Sequence, residues 1–146
     1  MQSKLLHSEG GQNTFVLVFA KGDKVPDVLL SFAKENSITA AEFRAIGAFS
    51  RVVLGYFDRE QKDYKHIPIE EQVEVVSLIG NIALAKGKPK VHTHVVVGKS
   101  DGSAHAGHLL EASVWPTLEV VLVESPRYLQ RRMDEETGLA LLDAAA

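Results

Sequence analysis

Residues 91–108 read VHTHVVVGKSDGSAHAGH and hold four of the chain's six histidines. On an extended strand successive side chains alternate between faces. His92 and His94 therefore point the same way, with Cα atoms about 6.5–7 Å apart, and two imidazoles at that spacing can converge on one cation. Val91, Thr93, Val95 and Val97 take the opposite face and have the composition of a core-facing side. If residues 98–107, rich in turn formers, close a hairpin-like connection, His108 returns beside the pair and supplies a third nitrogen. Three histidines are the ligand set of an open zinc site, with water or substrate in the fourth position. Imidazole suits copper, iron and nickel equally, so the ion is zinc or another divalent transition metal. The competing reading is a polar strand end where histidines cluster without an ion. His105, within the loop, and His7 and His66 are expected at the surface.

Other chemistries find less support in the residues. Ser100 and Ser103 have histidine neighbours but no nucleophile-elbow motif. The glycines between Gly98 and Gly107 match no phosphate-binding pattern and lead into a strand rather than a helix. Asp101 and Glu111 are candidate partners for the histidines by proximity alone. Of Glu119 and Glu124, both on an apolar strand, one is a candidate for burial with a partner. The catalytic residues of any enzyme built on this site are unknown from sequence.

A chain of 146 residues, 45% hydrophobic and 24% charged, has the size and composition of one globular domain. We read residues 1–146 as a single domain with its core at about 12–143. With no cysteine, disulfides are excluded and a metal must be held by His, Asp, Glu or solvent. Apolar runs are too short for a membrane span, and the first residues, MQSKLLHSEGGQ, lack the apolar core of a signal peptide. No membrane is expected, and the default location is cytoplasmic. A net charge of -3 and a pI near 6.1 disfavour strong DNA binding by one copy. The basic stretches Lys86–Lys90 and Arg127–Arg132 are expected to be solvated, although an oligomer gathering several copies of one patch can still engage DNA.

Residues 14–20 read as a buried strand. The segment from Pro26 to Asn36-Ser37 reads as the one long helix, with Pro26 in its first turn, Asp27 near the positive dipole end, and Val28, Leu29, Phe32 and Ala33 on one apolar face. Short strands are predicted near 42–49 and 51–58, with a bulge or bend at Gly47 or Phe49-Ser50, and at 64–69, 74–79, 82–85, 91–97, 108–115 and 117–124. Gly80-Asn81 and Trp115-Pro116 are read as the breaks between neighbours. Tight turns join antiparallel strands. The predicted fold class is therefore α+β: a curved, mainly antiparallel sheet with one main helix packed on it.

The run GNIALAKGKPKVHTHVVVGKSDGSAHAGHLLEASVWPTLEVVLVE resembles the signature of the PPC (plants and prokaryotes conserved) domain: Gly-Asn, a Gly/Pro turn, His-x-His, Asp-Gly, Gly-His-Leu and a Glu-Val strand. ITAAEFRAIGAFSRVVLGYFD and MDEETGLALLD extend the resemblance over roughly residues 12–143. It implies a homotrimer, and it implies His92, His94 and His108 as metal ligands, usually of zinc, as in the stand-alone prokaryotic type. In the plant proteins an AT-hook contacts DNA while this domain mediates self-association and partner binding. No Arg-Gly-Arg-Pro hook occurs here. Ala106 also stands where the family often has glycine, which would strain the chain if that position needs a positive φ.

The function expected is a metal-binding, trimeric binding or regulatory module with DNA or a regulatory protein as partner and an unknown small-molecule ligand. The alternative is a small zinc-dependent enzyme using the open three-histidine site. A cupin-like oxygenase is disfavoured, because Val95-Val96-Val97-Gly98 follows where a carboxylate ligand is needed.

Overall fold

The structure, a computed structural model, describes residues 1–145. Its one α-helix among these residues, α1 (Val25–Glu35), forms where the sequence reading placed it. Pro sits in the first turn with Asp27, and Lys34 lies in the last turn, each matching the helix dipole. Val25, Leu29, Phe32 and Ala33 are buried, and Phe32 meets Phe15 edge-on at 5.3 Å. Fully burying a side chain such as Leu29 contributes about 1.5–3 kcal/mol. Asn36 caps the helix and Ser37 turns out of it at φ 55°.

Everything else of regular structure is strand: β1 (Gln2–Glu9), β2 (Gln12–Phe19), β3 (Ala40–Asp58), β4 (Asp63–Ile69), β5 (Val73–Ala85), β6 (Lys88–Gly98), β7 (Ala104–Glu124), β8 (Gln130–Met133) and β9 (Ala140–Asp143). Strand accounts for 66% of the chain and helix for 8%, so the α+β expectation gives way to a mainly β fold. The sheet is mainly antiparallel, but α1 is a short cover on β6 and β7 rather than a layer of its own. Two causes produce the difference. First, the predicted breaks lie inside long strands: β5 runs through Gly80-Asn81, and β7 runs through Trp115-Pro116, whose peptide bond is cis. Second, segments towards both ends of the chain, polar or too short to read as strands, pair as β1 with β2 and β8 with β9.

The long strands change partners along their length. The first half of β3 pairs with β5 on one side and the end of β7 on the other, while its second half pairs with β4 and the start of β7. Register slips in β3 cluster between Ala45 and Arg51, where the sequence reading placed a bulge or bend. β6 in turn pairs with both β5 and β7, so β3, β5, β6 and β7 close a ring of hydrogen-bonded neighbours. The core lies inside that ring and under α1: Leu17, Phe49, Val52, Leu78, Val97, Leu118 and Leu122 are fully excluded from solvent or nearly so. No helix among the described residues is long and apolar enough to cross a membrane.

Candidate metal centre

β6 runs with Thr93, Val95 and Val97 buried, while His94 is exposed and His92 half-buried. That alternation is the one the apolar residues dictate: three core-facing side chains fix the register and force both histidines outward. The turn at Lys99–Ser103 then closes a hairpin, held by Lys99 N–H donating to the Ser103 carbonyl at 2.9 Å and by Asp101 accepting from Ser103. The hairpin register sets His108 of β7 directly across from His94. Two glycines allow the strands this close. A Cβ on Gly107 would lie 2.9 Å from the Gly55 carbonyl of β3, and one on Gly80 would lie 2.5 Å from the His92 carbonyl and collide with the Phe43 ring. Gly80 is therefore a point of close approach within a strand, not a turn. Ala106 is a strand residue without positive φ, so it carries no strain.

The three rings converge, with centroids 5.0–5.4 Å apart. One nitrogen from each lies within 4.8 Å of the others, and His92 Nε2 and His94 Nε2 are 3.2 Å apart. Bonds of about 2.0–2.1 Å in a tetrahedron put neighbouring ligand nitrogens about 3.4 Å apart, so the first pair already has the spacing of two zinc ligands. Protonation is also suited to an ion. Burial, then the charge of Arg131 and the neighbouring His94 and Lys90, holds His92 below the ordinary histidine range. Burial first, then His92, His94 and Lys90, pulls His108 down to about 4. Both rings are neutral at pH 7 and offer lone pairs. His108 Nδ1 is buried without a hydrogen-bond partner. The residues fit a transition metal.

Three further residues shape the site. Tyr64 of β4 stacks on His108 at 4.7 Å, and burial raises its phenol above the usual range. Asn81 of β5 stands across from His92 and accepts from Arg131 Nη2. Arg131 of β8 belongs to the stretch read as solvated, yet it is half-buried. None of the three was singled out for the site from sequence. Tyr64 and Arg131 reach it through pairings β3–β4 and β5–β8, which no local pattern announces. Asn81 was readable only as one more outward position two residues from Ile79.

The carboxylates named by proximity sit elsewhere. Asp101 bonds Ser103 within the hairpin turn, and Glu111 accepts from Arg51 at 2.5 Å. Glu124 is the partnered one of its pair, accepting from Asn13 at 2.6 Å, while Glu119 is exposed. His7, His66 and His105 are exposed, as expected. Beside the triad, a groove of about 710 Å³ opens on the outer face of the sheet, where His92 and His94 line it.

A ring of mainly antiparallel strands with outward histidines from one hairpin defines the class: a β-sheet domain built around a three-histidine centre. The family follows. Residues 6–126 match the Plants and Prokaryotes Conserved (PCC) domain, so the chain belongs to that family, the PPC family of the resemblance above. Among solved structures it is similar to a plant- and prokaryote-conserved (PPC) protein of Pyrococcus horikoshii, at 32% identity over 99% of this chain and 96% of that one, TM-score 0.85. It is similar to a metal-containing protein of Archaeoglobus fulgidus, at 38% identity over 88% and 91%, TM-score 0.81. A third is the "putative DNA-binding protein" of Bacteroides thetaiotaomicron, at 28% identity over 97% and 96%, TM-score 0.85. No curated protein matches the chain.

Proposed function

We propose that this PPC domain is a metal-holding binding module that works as a homotrimer, with zinc or another divalent transition metal on His92, His94 and His108. The observation that carries the reading is the convergence of three imidazoles from one hairpin, two of them 3.2 Å apart. The metal-containing relative at 38% identity supports it. Self-association is supported by the outer face, where Ile46 and Ile79 are each 60% exposed with Val18 nearby at 37%. A lone domain gains by covering such residues.

For DNA, the net charge of -3 argues that any contact is made by the assembled copies or through a regulatory protein partner. A second reading, a small zinc-dependent enzyme, is favoured by the groove beside the histidines and by the lack of a fourth protein ligand in the cluster among the described residues. An ion bound here would supply a Lewis acid and lower the pKa of a bound water. The chain's own part would be to hold neutral imidazoles and shield one side with Tyr64.

Elemental analysis of the purified protein alongside its solution mass tests the proposal. One ion per chain in a trimer is expected. His92→Ala abolishes binding and His66→Ala leaves it intact. No metal after incubation with zinc refutes the centre, and a monomer of full metal content refutes the trimer.

A further inference from the structure

The hairpin of β8 and β9 is well made within itself and lightly attached to the rest of the chain. At its turn, Asp134 accepts from the Thr137 N–H and hydroxyl at 2.9 and 2.6 Å, and Gly138 takes a left-handed φ of 73°. The Asp134 N–H donates to the Leu139 carbonyl at 2.8 Å. Arg132 pairs with Asp143 across the two strands, and Arg131 Nη1 donates to the Ala140 carbonyl at 3.1 Å. Attachment to the sheet is short by comparison. β8 lies in parallel register with β5 only at Leu84 with Gln130 and Ala85 with Arg131, next to a Leu84 N–H donating to the Leu129 carbonyl at 2.7 Å. β9 pairs with β8 and with no other strand among the described residues. Met133, Leu141 and Leu142 are about half exposed, so docking buries little apolar surface. A two-stranded unit with so little cover detaches at low cost.

One side chain latches it. Arg131 Nη2 donates to Asn81 of β5, the single side-chain hydrogen bond from the hairpin to the sheet among the described residues. The guanidinium is half-buried, both of its acceptors are uncharged, and its buried Nε has no partner. Burying a cation without a counter-ion costs free energy, so the latch holds weakly. The hairpin also lies against the three-histidine centre. Asn81 is in register with His92. Leu142 of β9 and Leu129, just before β8, form part of the wall of the groove that His92 and His94 line. Hydrogen bonds from Thr137 first, and then the charge of Lys62, hold the Asp134 carboxyl below the usual carboxylate range, which places the hairpin tip near the turn before β4. Tyr64, two residues on from Lys62, stacks on His108. The chain enters the hairpin through Ser125–Leu129, an exposed stretch outside any strand. We infer that β8–β9 is a hinged strap: it swings as a unit about residues 125–129, and its release from β5 opens the groove and the His92 side of the centre to an entering or leaving ion. The inference rests on the metal reading above for what is gated, and adds how the site opens.

The chain has no cysteine, so Leu84→Cys with Gln130→Cys installs one disulfide between strap and sheet. Neighbouring strands lie about 4.7–4.9 Å apart, within disulfide reach. In the unaltered, metal-free chain, residues 130–143 are expected to exchange amide hydrogens together, roughly tenfold or more faster than β5 and β6. Oxidising the double variant is expected to slow that exchange, and to slow zinc transfer to a chromogenic chelator, each roughly tenfold, with reduction restoring both. Asn81→Ala removes the latch and is expected to speed exchange of 130–143 and zinc transfer while β6 exchange is unchanged. Exchange of 130–143 as slow as that of β5 and β6 overturns the strap. Equal zinc transfer from the oxidised and reduced forms overturns its control of the centre. If the double variant fails to fold, exchange in the unaltered chain and zinc transfer from Asn81→Ala decide instead. Failure to bind zinc refutes the metal reading and the gating with it, an outcome distinct from zinc that binds and leaves at one rate whether the strap is tied or free.

Discussion

Gly107→Ala is the substitution that most directly joins fold to site. A methyl group there would lie 2.9 Å from the Gly55 carbonyl and 3.3 Å from Leu54 Cβ, where ordinary contact begins at 3.4 Å. The shortfall to the carbonyl is about half an ångström, and the neighbour is backbone of β3, locked in its own ladder with β4 and β7. β7 must give way, and it carries His108 with it as the next residue. Overpacking of this kind costs about 1–3 kcal/mol. For a domain of this size that lowers Tm by roughly 2–12 °C. The moved ring no longer meets His92 and His94, so metal affinity falls roughly tenfold or more. Thermal unfolding followed by circular dichroism, with zinc affinity measured against a chromogenic chelator, reads both effects. Ala106→Gly is the control. It alters the adjacent residue, which has no positive φ, and costs about 0.5–1 kcal/mol as glycine in a strand, with zinc affinity unchanged. A Gly107→Ala protein with wild-type Tm and zinc affinity would refute the close-approach argument.

Further outcomes follow from the same geometry. His108 is pulled down to about 4 against about 6.5 in the unfolded chain, so between those values the unfolded state binds more protons and stability falls as pH drops. Metal-free protein should therefore lose urea resistance from pH 6.5 towards 4. His108→Gln should flatten that profile, and an unchanged slope would contradict the burial of the ring. Metal loss on acidification should begin below about pH 6, but proton competition at His108 should not be complete until about pH 4. Complete retention of metal below pH 3 would exclude an all-histidine centre. Tyr64→Phe should preserve the stack on His108 and the metal, whereas Tyr64→Ala uncovers the ring and weakens binding about tenfold; equal affinities would remove Tyr64 from the site. Phe32→Ala, on the buried face of α1, should cost about 3–5 kcal/mol without changing metal content per folded chain, since Phe32 packs on Phe15 away from the triad.

Local signals in the sequence were sufficient for α1, for the outward placement of His92 and His94 and for the turn that returns His108. Each depends on periodicity or turn chemistry acting over a few residues, so each is written in the order of the residues themselves. Buried Thr93, Val95 and Val97 leave β6 one register, and that register fixes the two histidines. Tertiary pairing decided the rest. Gly80-Asn81 and Trp115-Pro116 look like breaks because glycine and proline usually are, yet β5 is laddered to β3 and β6 on its two sides at Gly80-Asn81, and β7 continues past the register shift at Trp115-Pro116 to pair with β2 and β3 again from Leu118. β1 and β8 are too polar and β9 too short to reveal themselves, and they exist because a neighbouring strand offers unpaired hydrogen-bonding groups. Arg131 and Tyr64 reach the triad from 23 and 44 positions away from His108, counted along the chain. Nothing in either residue's own neighbourhood records where β8 or β4 will dock, because the partner groups are presented only once the ring of strands has closed.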